Sequence, residues 1–311
     1  MSGKTSIQWA TAVWNPTTGC TRVSAGCDNC YAFALHDRRH VAWKRGRMPK
    51  AAPQYHLPFS RVQTFPDRLD WPLRHRKPER IFVDSMADLF HEDVPDEYLR
   101  RVFLTMGAAY QHRFLVLTKR PQRMREFVSE PSMREAFTEV PGWPLPNVWL
   151  GTSVEDQKAA DERIPHLLAT PAAVRFLSCE PLLGPVDLTR LTIIPPDPPH
   201  GPGVWMNALT GHVIGPDDML PERVDWVIIG GESGPRARPM DLAWARSLVE
   251  HCRAAGIAPF VKQLGARPQI DGVPMSGGDP DGRGPLVGLR DRKGGDIDEW
   301  PADLRVREFP R

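Results

Sequence analysis

The sequence predicts an α/β protein with a mostly parallel, barrel-like sheet. Three observations carry this: short runs rich in Val, Ile, Leu and Phe recur along the chain, helical patterns separate them, and polar residues cluster just after the runs. Nearly continuous apolar runs suit strands buried on both faces. A repeated strand–helix order suits parallel strands joined by crossover helices.

In chain order the expected strands are 11–15 (TAVWN), 81–85 (IFVDS), 114–118 (FLVLT), 148–153 (VWLGTS), 174–178 (VRFLS), 226–231 (WVIIGG) and 259–263 (PFVKQ). Expected helices include 96–110 and 241–256, each opening on an Asp that can cap the first turn. Residues 185–221 break the pattern: they are rich in Pro and Gly, enclose the hairpin-like WMNALTGHVI, and read as an insertion or lid over the strand ends. The body therefore spans 1–267. A Gly/Pro-rich tail, 268–311, follows, with Trp300, Leu304, Val306 and Phe309 as anchors onto that body. No internal repeat is present.

With 311 residues, 41% hydrophobic and 25% charged, the composition is that of an ordinary globular protein. No apolar run reaches membrane length, which predicts no membrane association. The first residues, MSGKTSIQWATAVWN, carry neither an apolar signal core nor a cleavage pattern, so a cytoplasmic protein with reduced cysteines is expected. The net charge of +2 hides a gradient: residues 1–130 hold 21 Lys+Arg against 13 Asp+Glu, and residues 131–311 hold 19 against 25, giving +8 and −6. The basic half contains HDRRHVAWKRGRMPK (36–50), RHRK (74–77) and KRPQRMR (119–125). Arg38, Arg39, Lys44, Arg45 and Arg47, with Trp43 interleaved, could attract a phosphate backbone; a solvated helix face reads the same.

Cys20, Cys27 and Cys30 lie within eleven residues as C-x6-C-x2-C, whereas Cys179 and Cys252 sit alone in apolar patterns. Three cysteines cannot all pair with one another, and a two-residue gap lets neighbouring sulfurs converge on one centre. An iron–sulfur cluster on three thiolates keeps one iron open to a small molecule. Two other readings stand beside it: a Cys3His zinc site using His36 or His40, and a pair of buried reduced cysteines plus one bystander. Cys179 and Cys252 read as core packing.

In parallel barrels ligands bind the loops after the strands. Polar groups stand there in DSMADLF (84–90), TKRP (118–121), GTSVED (151–156), SCEPL (178–182) and GGESG (230–234), and in the KQLG that closes the last strand. Any one of these also reads as an ordinary polar turn. Gly230 and Gly231 permit close backbone approach to a ligand, and Glu232 and Ser233 supply a carboxylate and a hydroxyl.

These features resemble the radical S-adenosylmethionine superfamily. More closely, WNPTTGC…GCDNCYA, the stations DSMADLF, TKRP, SVE, CEPL, GGESG and KQLG, and the closing RKGGD…WP are similar to a phage-associated three-cysteine family of radical-SAM-like proteins (phage Gp37/Gp68-like). The spacing departs from that superfamily's C-x3-C-x2-C, and Tyr31 follows the last cysteine instead of preceding it.

The resemblance implies a partial or near-complete (β/α) TIM-type barrel and a [4Fe–4S] cluster on Cys20, Cys27 and Cys30. It implies S-adenosylmethionine as cofactor, cleaved to a 5′-deoxyadenosyl radical. Ser85 and Asp88 would meet its amino group, Ser153 and Glu155 its ribose, and Gly230, Gly231, Glu232 and Ser233 its adenosine or carboxylate. Glu180, Lys119 and Lys262 would face substrate. The basic segment and the phage association together favour DNA, RNA or a nucleotide as the substrate of a base modification or lesion repair, with a reductant and a protein partner. The alternative is a non-catalytic iron–sulfur or zinc protein that binds nucleic acid or a partner.

Overall fold

The computed structural model describes residues 2–137, 142–194, 203–214, 222–275 and 289–310. All seven expected strands form, within a residue or two of their expected ends. We label the strands of the main sheet β1 (Gly3–Lys4), β2 (Ala12–Trp14), β3 (Arg80–Val83), β4 (Arg113–Thr118), β5 (Val148–Ser153), β6 (Val174–Cys179), β7 (Trp226–Gly230) and β8 (Ala258–Gln263). The principal helices are α1 (Tyr31–Lys44), α2 (Asp96–Ala108), α3 (Pro121–Val128), α4 (Gln157–Leu168) and α5 (Leu242–Ala255).

The sheet runs in sequence order from β1 to β8. β1 pairs antiparallel with β2. The pairs β2–β3, β3–β4, β6–β7 and β7–β8 are parallel, as strand–helix–strand units require. Among the described residues β1 and β8 are the two ends of this order, and no closed barrel is found. What stands is a mixed α/β fold with a large, mostly parallel sheet.

The chain divides into two compact units, residues 1–151 with 170–173, and residues 152–169 with 174–311. The break between these units falls inside β5. In the first unit Trp14, Ile81, Val83, Leu99 and Phe114 are fully buried; Trp14 packs 5.8 Å from Phe114 and donates its indole N–H to the Arg68 carbonyl at 2.8 Å. That hydrogen bond lets a large polar-tipped ring enter a core. In the second unit Trp226 does the same, packing on Phe176 and Phe260 with its N–H on the Glu308 carbonyl at 2.8 Å.

Helix ends follow from local chemistry. Asp241 caps α5 through the Ala243 amide, and Gly256 closes it at φ 68°. Asp96 is not a cap, because the flanking residue is Pro95; Asp96 instead pairs with Arg123 at 2.7 Å. Asp156, after β5, caps α4 through the Ala159 amide.

Within 185–221 the expected hairpin is present: Val204–Met206 pairs antiparallel with Val213–Ile214 and with Leu191–Ile194. Residues 195–202 and 215–221 lie outside the described residues, as do 276–288 of the tail. The tail anchors hold as expected, with Trp300, Leu304 and Val306 buried and Phe309 stacked 5.2 Å from Trp226. Val261 donates to the Val306 carbonyl at 2.8 Å and Glu308 to that of Pro259 at 3.0 Å, so the tail pairs with the outer edge of β8.

Candidate functional site

The cysteine loop leaves the end of β2 and is fixed there before the first cysteine arrives. Buried Asn15 accepts from the Ser85 hydroxyl at 3.1 Å and the Met86 amide at 3.0 Å. Asp84, at φ 59° just beyond β3, accepts from the Thr17 amide and hydroxyl at 3.1 and 2.7 Å. Burial pushes the Asp84 carboxyl up from 3.8 to about 7 against those two hydrogen bonds. Gly19 must be glycine: φ is 105°, and a Cβ would stand 2.5 Å from the Arg61 carbonyl oxygen. The Cys20 amide then donates to the Phe59 carbonyl at 2.9 Å. Cys27 ends a short 3-10 turn and Cys30 directly precedes α1.

All three thiols are free; Cys27 is buried and the other two are half-buried. Cys20, Cys30 and Met86 pack on an apolar floor of Ala32, Phe33 and Phe59. Burial first, then the charge of Asp88, pushes the Cys20 thiol up to about 12, while Arg120 works the other way. Without a metal this thiol is protonated, and it donates to the Thr21 carbonyl at 3.2 Å.

Arg120 is the centre of the surrounding network. Its Nη1 approaches Cys20 Sγ at 3.6 Å and Asp88 at 3.2 Å, Nη2 donates to Thr21 Oγ1 at 2.8 Å, and Nε donates to Glu92 at 3.0 Å. Asp88 also accepts from the Thr118 hydroxyl at 2.7 Å and from the Lys119 and Phe90 amides at 3.0 Å. The Asp93 amide donates to His91 Nδ1, so the ring proton sits on Nε2 and donates to Thr21 Oγ1 at 2.8 Å. Burial, reinforced by Arg120, lowers the His91 pKa and keeps the ring neutral.

The donor set suits a sulfur-ligated group. Among the described residues no three Cys, His, Asp or Glu side chains are grouped so as to hold a metal ion. His36 is buried with Nε2 donating to the Leu57 carbonyl at 2.9 Å, between Tyr55 and Phe59. His40 donates from Nδ1 to the Tyr55 carbonyl. Both therefore hold α1 against the segment 55–59. Cys179 and Cys252 are buried as expected for packing residues, and burial raises both thiols.

The other expected site residues divide by unit. In the first, Ser85 has its hydroxyl on Asn15, Asp88 is committed to Arg120, and Lys119 contributes its backbone amide. On α1, positions 31, 34, 38, 41 and 45 form one exposed stripe starting beside Cys30. Arg38, Lys44, Arg45 and Arg47 are exposed. Arg39 is not a free cation: it donates to the Tyr55 hydroxyl and lies over that ring. Arg120 and Arg123 leave the KRPQRMR surface as well, Arg123 holding the His91 and Val94 carbonyls.

In the second unit, Glu155 is buried in a two-bond pair with Arg163 at 2.8 and 3.2 Å, and Ser153 gives its carbonyl to the same arginine. Glu155 thus faces Arg163. Glu180 and Lys262 pair at 2.7 and 2.9 Å. Glu232 is held by the Arg238 amide and guanidinium, while Ser233 is half-buried. The close approach that Gly230 and Gly231 allow is taken by protein. A Cβ on Gly231 would meet the Leu264 carbonyl at 2.3 Å, and one on Gly230 the Glu180 side chain at 3.2 Å.

Arg120 is the residue that sequence reading overlooks, although TKRP marks its position. No curated protein and no solved structure matches the chain. Residues 4–286 match the model of a family described as a protein of unknown function (DUF5131), and the chain belongs to that family.

Proposed function

We propose that Cys20, Cys27 and Cys30 hold a [4Fe–4S] cluster and that the chain is a radical S-adenosylmethionine enzyme on an open (β/α) barrel, acting on a nucleic acid or nucleotide in the cytoplasm. The observation that carries this is the set of three free thiols on one braced loop directly after the first parallel strand. Sequential strand order supports the barrel reading, since each crossover then advances the sheet in one direction. When bound, such a cluster supplies an open iron for the cofactor and the electron that cleaves its sulfonium.

The chain's own residues do the rest. Asp84 and Asn15 brace the loop, and the apolar floor under Cys20 and Cys30 limits water at the sulfurs. Asp88 orients Arg120 and does not itself bind cofactor. Glu180 and Lys262 hold each other's charge, so a substrate anion on Lys262 would leave Glu180 free to take a proton at Oε1. The exposed end of α1 supplies phosphate contacts.

The test is anaerobic reconstitution followed by iron and zinc analysis, EPR with and without S-adenosylmethionine, and chromatography for 5′-deoxyadenosine. About four irons per chain, a spectrum perturbed by the cofactor and 5′-deoxyadenosine release are expected, with iron lost in Cys27→Ala. One zinc per chain and intact cofactor would make the loop a structural site in a binding protein.

A further inference from the structure

We infer that Arg120 is a positioning residue for the Cys20 sulfur, a fixed guanidinium whose N–H offsets the sulfur's negative charge once a metal has taken the place of the thiol proton. The inference rests on the cluster reading above. Arg120 is only 11% exposed and is held along three edges: Nε on Glu92, Nη1 on Asp88 and Nη2 on Thr21. This arrangement uses the planar fork of arginine, which an ammonium cannot copy. The plane so fixed places Nη1 at 3.6 Å from Cys20 Sγ, a residue 100 positions away in sequence.

The surroundings explain why such a group is needed. Cys20 is half-buried on Phe33 and Phe59, where a thiolate is poorly solvated, and the Asp88 carboxylate shares Arg120 Nη1 with its sulfur. Neutral His91 adds no second charge to the sulfur's surroundings; it holds Thr21, which holds Arg120. Hydrogen bonds to the sulfurs of an iron–sulfur centre favour its reduced, more negative state and raise its potential. Arg120 therefore makes the cluster easier to reduce.

The experiment is an EPR-monitored redox titration of anaerobically reconstituted full-length protein, without S-adenosylmethionine, on wild type, Arg120→Met and Arg120→Lys. Iron content and thermal melting are measured alongside. Arg120→Met is expected to bind iron and melt cooperatively, with the oxidised-to-reduced ratio at a fixed poise raised about tenfold, a fall of about 59 mV for a one-electron couple. Arg120→Lys is expected to fall between the two and carries the test if the methionine variant does not fold. A purely structural arginine would lower the melting temperature and leave the potential alone. Iron-loaded variants with the wild-type potential overturn the inference while leaving the cluster reading intact; wild type without iron overturns both.

Discussion

The two units treat their strand-end charges differently. In the second, three carboxylates each pair with a different cation: Glu155 with Arg163, Glu180 with Lys262 and Glu232 with Arg238. In the first, Arg120 is divided among Asp88, Glu92 and the Cys20 sulfur. A private pair satisfies both members and must be broken before either can meet a ligand. A divided cation keeps part of its field on an atom whose charge changes with its state.

Breaking a private pair should have the largest effect. Arg163→Met removes the cation paired with the buried Glu155 carboxylate, and a loss of about 3–5 kcal/mol is expected in urea unfolding. Adding Glu155→Gln should restore at least half of it; a single variant within about 1 kcal/mol of wild type would mean that the pair is not closed. Asp84 sharpens the comparison from the first unit, because its partner Thr17 is neutral. The carboxyl titrates near 3.8 unfolded and about 7 folded, so between those values unfolding releases its proton. Its contribution is full below about pH 3.8 and is lost as pH rises through about 7. Asp84→Asn should remove that decline, whose slope is at most about 1.4 kcal/mol per pH unit; identical pH profiles of unfolding would refute the raised value. The smallest effect on stability belongs to exposed cations with no ion pair among the described residues. Neutralising Arg38, Lys44, Arg45 and Arg47 together should leave the melting temperature unchanged. It should also reduce the slope of log affinity against log salt for single-stranded nucleic acid by up to about 3, and an unchanged slope would remove this surface from the substrate path.

Much of the architecture was legible, and the reason is physical. A run such as WVIIG, buried at every position, has no competing helical period. The edge strand Gly3–Lys4 was illegible because two residues carry no pattern. α1 was read only as a basic segment, since YAFALHDRRHVAWK has no apolar stripe and its burial comes from Ala32, Phe33 and His36 near one end. The glycines of GGESG were legible as close-approach positions but not as to what approaches, which only the path of Leu264 reveals. Arg120 was illegible as a partner of Cys20 because sequence offers no register between positions 100 apart. Glu155, eight residues before Arg163, spans a strand end and a helix turn, a spacing with no local rule.

The antiparallel strap on β8 sets an order of events during synthesis. Arg307 follows Val261 by 46 residues, so the outer row of amides and carbonyls on β8 emerges from the ribosome well before its cover. Until then that edge is an open template for pairing with another chain, and a premature stop anywhere in the intervening stretch would leave it so. Residues 306–308 therefore act for the second unit as a built-in guard against aggregation.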